Sequence, residues 1–410
     1  MTNLRTKKIN LFLADQVSVE GKPGENMNMV VVGPPGCGKT FSYMLPTILA
    51  ENECSMVIDD KKGYLYKQTA DELEKRGYFV FKIDFTNFDG NMNYNCFEKV
   101  ETEEDIMRIA DFIIPSQGSH VDRFWEMSSK DLFRALTQIA KHEYEDRLNL
   151  ERFMDLFSLC GVKSAEYEDE PDGIDMLIDL HRKRGYDYPA MDEYKKIKGA
   201  SDRTWSNILS SLRVELQKYK SKGLYEITYN TTLSFEFWGK AKIALFVVSS
   251  DTEGSMYPMV QLLYREMVDT LMKYADTCEN GTLPVHVRFL IDDFASGVQQ
   301  TQFENVIANC RSRNISYMLG FQSMSQLRAL YGQRSESILD CVNYMVFYGS
   351  SNNETNTYLS KAMQRPLREI QQMGEETVCL IRRGQVPRFA KRVQTLKMPE
   401  YIQAKENRER

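Results

Sequence analysis

The sequence predicts an α/β protein: a mostly parallel sheet flanked by helices, interrupted by an inserted all-α domain. Three observations carry this. Short apolar runs alternate with helical patterns up to about residue 95 and again after residue 240, the rhythm of strands joined by crossover helices. One such run, Met29 to Val32, leads straight into Gly33-Pro34-Pro35-Gly36-Cys37-Gly38-Lys39-Thr40, which has the G-x-x-x-x-G-K-[ST] spacing of a P-loop between strand and helix. Between these two stretches the apolar period changes to 3.6, as in Trp205, Ile208, Leu209, Leu212, Leu216 and Tyr219, which is the helical repeat.

The elements follow in order. Residues 1–26 are mixed polar and include Gly21-Lys-Pro-Gly24; one short strand is expected there. Met27 to Val32 is the first core strand, and Phe41 to Ala50 the helix after the loop. Ser55 to Asp59 is the second strand, Thr69 to Arg76 a helix and Tyr78 to Ile83 the third strand. From Glu101 to about Gly223 the pattern is helical, with Trp125, Leu132, Phe133, Leu136 and Ile139 on one face and an acidic loop at Glu166–Gly173. Strands resume at Ile243–Val248, Val285–Ile291, Ile315–Leu319 and Val342–Phe347. A hairpin is expected at Thr377–Ile381 and Pro387–Arg392. This gives a first nucleotide-binding segment at 1–98, the all-α insertion at 99–223, a second nucleotide-binding segment at 224–400 and a charged tail at 401–410 expected to fray.

The P-loop sets the chemistry. Its glycines let the backbone turn so that N–H groups face phosphate oxygens, and the helix that begins there adds its positive dipole end. The candidate nucleotide-contacting set is Gly33, Pro34, Pro35, Gly36, Cys37, Gly38, Lys39, Thr40 and Phe41. Lys39 reaches the β- and γ-phosphates and the Thr40 hydroxyl joins a Mg²⁺ shell. Cys37 reads as a small permissive residue, because phosphoryl transfer needs no thiol. A P-loop site also needs an acid at the end of another strand, to hold the metal through water, and a group to polarise the attacking water. Val285-His-Val-Arg-Phe-Leu-Ile-Asp292-Asp293 supplies both at the end of an apolar run, where ligands bind in such sheets. Asp292 is assigned to Mg²⁺ and Asp293 to the water. At the next strand end, Gln322 is a candidate γ-phosphate sensor, and Ser323 with Gln326 is spaced as a helix cap.

Composition limits the alternatives. With 42% hydrophobic and 27% charged residues, the chain has ample material for a core. A net charge of −6 is not the footprint of a protein that coats DNA non-specifically, so a nucleic-acid role needs local basic patches. Arg182-Lys-Arg184, Lys195-Lys196-x-Lys198 and Lys218-x-Lys220-x-Lys222 are such candidates. The eight cysteines are scattered, with no C-x-x-C pair, which argues against a zinc site and fits a reducing compartment.

Further stretches fall in the order of one family. They are Asp60-Lys61-Lys62-Gly63-Tyr-Leu65, Phe124-Trp125, Asp292-Asp293-Phe294, Arg311 to Ile315, and the run from Gln322 through Gln326-Leu327 to Tyr331-Gly332. With the P-loop, they make residues 28–393 resemble the type IV coupling proteins, the ATPases at the cytoplasmic mouth of conjugative and type IV secretion systems. The resemblance implies a RecA-like motor domain carrying an all-α domain, ATP and Mg²⁺ as cofactors, and action as a homo-hexamer. Its implied partners are DNA or a relaxase–DNA complex, secreted protein substrates and components of the secretion channel. It places the chain on the cytoplasmic side of the bacterial membrane. Family members usually begin with membrane helices, which this sequence does not show. The chain is therefore expected to be soluble, either as a fragment or anchored by a partner, and monomeric and weakly active alone. Arg311 and Arg313, with Arg334 behind them, are candidates for the arginine a neighbour contributes in ring ATPases. Asp293 stands where the family usually has Glu. Three readings stay open: an ATP-driven motor, an ATP-gated receptor that hydrolyses little, and an unrelated P-loop enzyme such as a small-substrate kinase.

Overall fold

Burial on both faces explains the strands. The computed structural model describes residues 9–22, 24–114, 120–161, 171–250, 254–295, 299–300 and 302–409. Eleven strands occur among these: β1 (Ile9–Ala14), β2 (Val17–Gly21), β3 (Met29–Val32), β4 (Ser55–Lys61), β5 (Phe79–Asp84), β6 (Ile243–Ser249), β7 (Val287–Ile291), β8 (Ile315–Phe321), β9 (Tyr344–Tyr348), β10 (Thr377–Arg382) and β11 (Arg388–Lys391). Nine of them form one sheet in the order β11-β10-β9-β3-β8-β7-β4-β6-β5. β9 through β5 are parallel, and β10 and β11 add antiparallel strands at one edge. β3, β6, β7 and β8 are buried at every position. Strands covered on both faces read as continuous apolar runs rather than alternating ones, which is why the sequence marks them clearly.

The chain divides into two compact units. One comprises residues 1–86, 234–254 and 264–410 and holds the sheet. The other comprises 87–233 and 255–263. Its long helix His120–Tyr144 is flanked by Leu150–Ser158, Pro189–Lys198 and Asp202–Gln217. Leu132, Phe133, Leu136 and Ile139 are fully buried in this unit, as are Leu212 and Leu216. Phe133 packs on Phe153 with ring centroids 4.8 Å apart. This unit is wider than residues 99–223 because short segments on either side of that range pair with one another. The Tyr94 N–H donates to the Ile227 carbonyl at 2.9 Å, and the Thr232 N–H to the Asn93 carbonyl at 3.1 Å. Most of the acidic loop, residues 166–170, lies outside the described residues.

Two expectations are corrected. The amino-terminal stretch holds a two-stranded antiparallel hairpin, β1 on β2, rather than a single strand. Leu11 and Leu13 enter the core, and the Tyr43 hydroxyl donates to the Leu13 carbonyl at 3.0 Å. The tail does not fray: Pro399–Glu409 is a helix. Tyr401 meets Phe41 edge-on at 5.8 Å, Ala404 is buried, the Asn407 amide donates to Glu72, and Arg408 donates to the Gln68 carbonyl. Tertiary anchors of this kind hold a helix whose own sequence is too polar to persist alone.

Candidate nucleotide site

Three parallel strands deliver the site. β3 runs into the loop Gly33–Gly38, β7 is followed by Asp292, and β8, between β3 and β7 in the sheet, is followed by Gln322. Gly36 and Gly38 have φ of +78° and +94°, a left-handed backbone that glycine adopts without a Cβ clash. The helix after the loop starts with a π-helical turn, Thr40–Met44, and continues as Leu45–Ala50. Lys39 is 8% exposed, and its Nζ donates to the carbonyls of Gly33 at 2.7 Å and Pro34 at 3.3 Å. The lysine therefore folds over the loop it serves.

Thr40 and Asp292 meet, although 252 residues separate them: the Thr40 hydroxyl donates to Asp292 Oδ2. Asp292 is 9% exposed, and burial pushes its carboxyl above the ordinary range, opposed by the Thr40 hydrogen bond. The neighbouring β8 makes room for it. A Cβ at Gly320 would lie 2.7 Å from Asp292 Oδ1, so a side chain there would displace the carboxylate. A hydroxyl and a carboxylate at a P-loop, held by glycine clearance on the next strand, fit the donor set for a hard cation such as Mg²⁺. Asp293 follows with φ of +53°, and its N–H donates to Asp292 Oδ1 at 3.1 Å.

These groups line one cleft of about 440 Å³. Lys39, Thr40, Phe41, Asp292, Asp293 and Gln322 all face it. The Gln322 N–H is bound by the Gln326 side chain at 2.9 Å, while Ser323 Oγ accepts from the Gln326 N–H at 3.2 Å. The strand end and the helix cap are therefore one hydrogen-bonded unit.

Arg311 is not brought to this cleft. It sits at the other end of β8, where its Nε donates to the Gly24 carbonyl at 3.2 Å. Seven strand residues separate it from Gln322, roughly 23 Å at about 3.3 Å per residue. Arg313 pairs with Asp276 at 2.9 Å and Arg334 with Glu304 at 3.6 Å. In the helical unit, Arg182, Lys195, Lys198, Lys218 and Lys222 all have carboxylate partners, so much of the basic character of those runs is neutralised locally.

The cleft also contains residues that spacing did not assign a role. Asp59, Asp60, Lys61 and Tyr64 form its far wall, at the end of β4. Asp60 accepts the N–H groups of Leu65 at 2.8 Å and Tyr66 at 2.7 Å, capping the helix Tyr64–Lys75. The sequence signal was two acids and two lysines at a strand end, followed by a glycine. Across the P-loop lies a second recess of about 500 Å³, with Ser350, Ser351, Glu375 and Arg392 in its wall. Arg392 Nη1 donates to the Cys37 carbonyl at 3.3 Å, and the same guanidinium pairs with Glu376.

The family model for type IV secretory system conjugative DNA transfer matches residues 6–386. No curated protein sequence matches the chain. Among solved structures, it is similar to unbound bacterial conjugative coupling protein TrwB, with a TM-score of 0.66 at 16% identity over 97% of this chain and 92% of that one. It is similar to TrwB in complex with ADP and Mg²⁺, with a TM-score of 0.64 at 15% identity over 92% and 88%. VirB4 of Thermoanaerobacter pseudethanolicus gives a TM-score of 0.55 at 14% identity over 96% and 98%. These likenesses establish the fold as a RecA-like P-loop α/β architecture.

Proposed function

The chain belongs to the type IV secretory system conjugative DNA transfer family, and on that premise we propose that it is an ATP-binding coupling protein. It recruits DNA, nucleoprotein or protein substrates to a secretion or conjugation channel and drives or gates their transfer by ATP hydrolysis. The observation that carries this is the meeting of Thr40 with Asp292 beneath the P-loop, with Gly320 leaving space for the carboxylate. TrwB has been solved with ADP and Mg²⁺ and with the ATP analogue ADPNP, which supports ATP and Mg²⁺ as the ligands here. Thr40, and Asp292 through water, would hold the metal. When bound, Mg²⁺ neutralises charge on the β- and γ-phosphates. Lys39 binds those phosphates, Asp293 orients the attacking water and Gln322 reads the γ-phosphate.

The active state is a homo-hexamer in which Arg311 of one copy completes the site of the next. Its place at the opposite end of β8 from its own chain's cleft suits a residue that acts on a neighbour. The all-α domain comprises the insertion 99–223 with the flanking residues of its compact unit, and the partners are a relaxase–DNA complex or secreted protein together with channel components. No helix among the described residues is long and apolar enough to cross a membrane. The working location is the cytoplasmic side of the membrane. A second reading, an ATP-gated receptor with slow hydrolysis, is favoured by Asp293, a short carboxylate on a left-handed backbone.

The test is ATP binding and turnover by the full chain and by Lys39→Ala, with and without single- and double-stranded DNA. Loss of turnover in Lys39→Ala with an unchanged fold, together with stimulation by DNA, is expected. Wild-type turnover in the variant would refute the site. Binding without DNA-stimulated hydrolysis would select the receptor reading.

A further inference from the structure

We propose that Lys61 is a phosphate contact supplied in cis: its ammonium meets the γ-phosphate of the bound nucleotide, and Asp59 and Ser249 hold it in place. The proposal rests on the reading of the cleft as a nucleotide site.

The register of the sheet sets this up. On β4, Asp59 and Lys61 are two residues apart, so their side chains share a face while Asp60 points to the other. Asp60 is occupied in capping the next helix. Lys61 lies opposite Ser249 of β6 in the ladder, and its Nζ donates to Ser249 Oγ at 2.9 Å and stands 3.3 Å from Asp59 Oδ1. Asp59 is fixed in turn by the Tyr264 hydroxyl at 3.2 Å. A lysine held by a buried carboxylate and a hydroxyl is aimed rather than loose, and it is 19% exposed at the wall of the cleft that also holds Lys39, Asp292 and Gln322.

Charge gives the arrangement a purpose. The residues lining the cleft include four carboxylates, Asp59, Asp60, Asp292 and Asp293, against two lysines, Lys39 and Lys61. A triphosphate adds more negative charge than one divalent cation removes. Without Lys61, Lys39 would be the sole cationic side chain among the lining residues. The burial that raises the Asp59 carboxyl to about 6 is opposed first by Lys61 and reinforced by Asp292, so Asp59 feels both the lysine and the metal-side acid. An ammonium is a compact charge on a flexible stem and can move from Asp59 to a phosphate oxygen without moving the strand. Such a cation performs in cis the charge stabilisation that ring ATPases obtain from a neighbour's arginine.

The test compares wild type, Lys61→Met, Lys61→Arg and the double variant Asp59→Asn/Lys61→Met, all as full chains. It measures Mg–ADP affinity, affinity for Mg–ADP with aluminium fluoride, single-turnover hydrolysis and the thermal midpoint. Lys61→Met should keep ADP affinity within about threefold. It should lose roughly a hundredfold to a thousandfold in hydrolysis, the range for removing one preorganised transition-state donor, with a parallel loss of aluminium fluoride affinity. Lys61→Arg should recover much of both. The double variant removes the buried uncompensated carboxylate, so its hydrolysis should stay low even where its thermal midpoint returns to the wild-type value. Wild-type hydrolysis and aluminium fluoride affinity in Lys61→Met would overturn the proposal, as would recovery of hydrolysis along with stability in the double variant. A wild-type chain that binds no Mg–nucleotide would overturn the cleft assignment itself. One that binds nucleotide but is indifferent to Lys61 overturns this proposal alone.

Discussion

Gly320→Ala tests whether the site is built by clearance rather than by motif alone. Gly320 is in β8 and fully buried in the sheet. Its backbone is not in the left-handed region, so alanine meets no φ penalty there. By itself, the change should slightly favour the strand, because glycine in an element interior costs roughly 0.5–1 kcal/mol relative to alanine. The cost lies elsewhere. The new methyl would stand 2.7 Å from Asp292 Oδ1 and 3.5 Å from Met44 Cε. Relief to ordinary van der Waals contact requires Asp292 Oδ1 to retreat by somewhat under 1 Å, which turns the carboxylate whose Oδ2 accepts from Thr40. A misplacement of about 1 Å at a reacting centre can cost roughly a hundredfold in rate, whereas overpacking a core costs about 1–3 kcal/mol. The expected result is a loss of about tenfold to a hundredfold in single-turnover ATP hydrolysis, with a weaker Mg²⁺ dependence of nucleotide binding and a loss of stability of at most about 2 kcal/mol. Stopped-flow single-turnover kinetics over a Mg²⁺ titration, beside chemical denaturation, reads both quantities. A variant with the wild-type rate and Mg²⁺ midpoint would refute the reasoning, because the carboxylate would then not need the space.

Three further expectations follow from particular residues. Asp293→Glu should keep nucleotide affinity and hydrolyse faster, by up to about a hundredfold if the carboxylate now falls short by about 1 Å; a slower rate at unchanged affinity would mean that Asp293, at φ of +53°, is already well placed. Burial raises Asp59 from its ordinary 3.8 to about 6, so the folded protein keeps this proton where the unfolded chain has released it, and the group's contribution to stability falls as pH rises from about 4 to about 6. Asp59→Asn removes that slope, and its stability relative to wild type should rise between pH 4 and pH 7 by about 2–3 kcal/mol; an unchanged difference in urea melts at the two pH values would refute it. If a neighbour's Arg311 completes the site, turnover should rise more than in proportion to enzyme and further with DNA, and Arg311→Ala should remove that excess; strictly linear activity from nanomolar to high micromolar enzyme would exclude a composite site.

The parallel strands and the P-loop were legible because each leaves a local mark. Strands such as Ile243–Ser249 are apolar throughout, and a P-loop is a spacing. The amino-terminal hairpin was harder to read because its turn places Gln16 at φ of +56°, a position where glycine or asparagine is the usual signal. The final helix carries only scattered apolar residues, and its order comes from Phe41, Glu72 and Gln68, hundreds of residues away. In the site, Gly320 has no role that the sequence assigns, and Lys61 is marked only as part of the family stretch Asp60–Leu65. Both acquire meaning only from the strand that lies beside them. Arg311 shows the reverse: a side chain with a family motif around it, yet outside the cleft of its own chain.

The strand order also has a consequence in time. β3, which carries the P-loop, pairs only with β8 and β9, and those strands span residues 315–348. At about 5–20 residues per second on a ribosome, the P-loop strand emerges roughly 15–60 s before its first partner. Asp292 and Gly320 are made equally late. Nucleotide therefore cannot help the first half of the sheet to fold, because the pocket that would reward it does not yet exist. During that wait residues 87–233 and 255–263 are completed, and β4 gains β6 and then β7, while β3 remains without a partner. Synthesis thus leaves the oldest part of the site to be finished last, and agents that shield apolar strand edges would be expected to matter most between the appearance of the P-loop and that of β8.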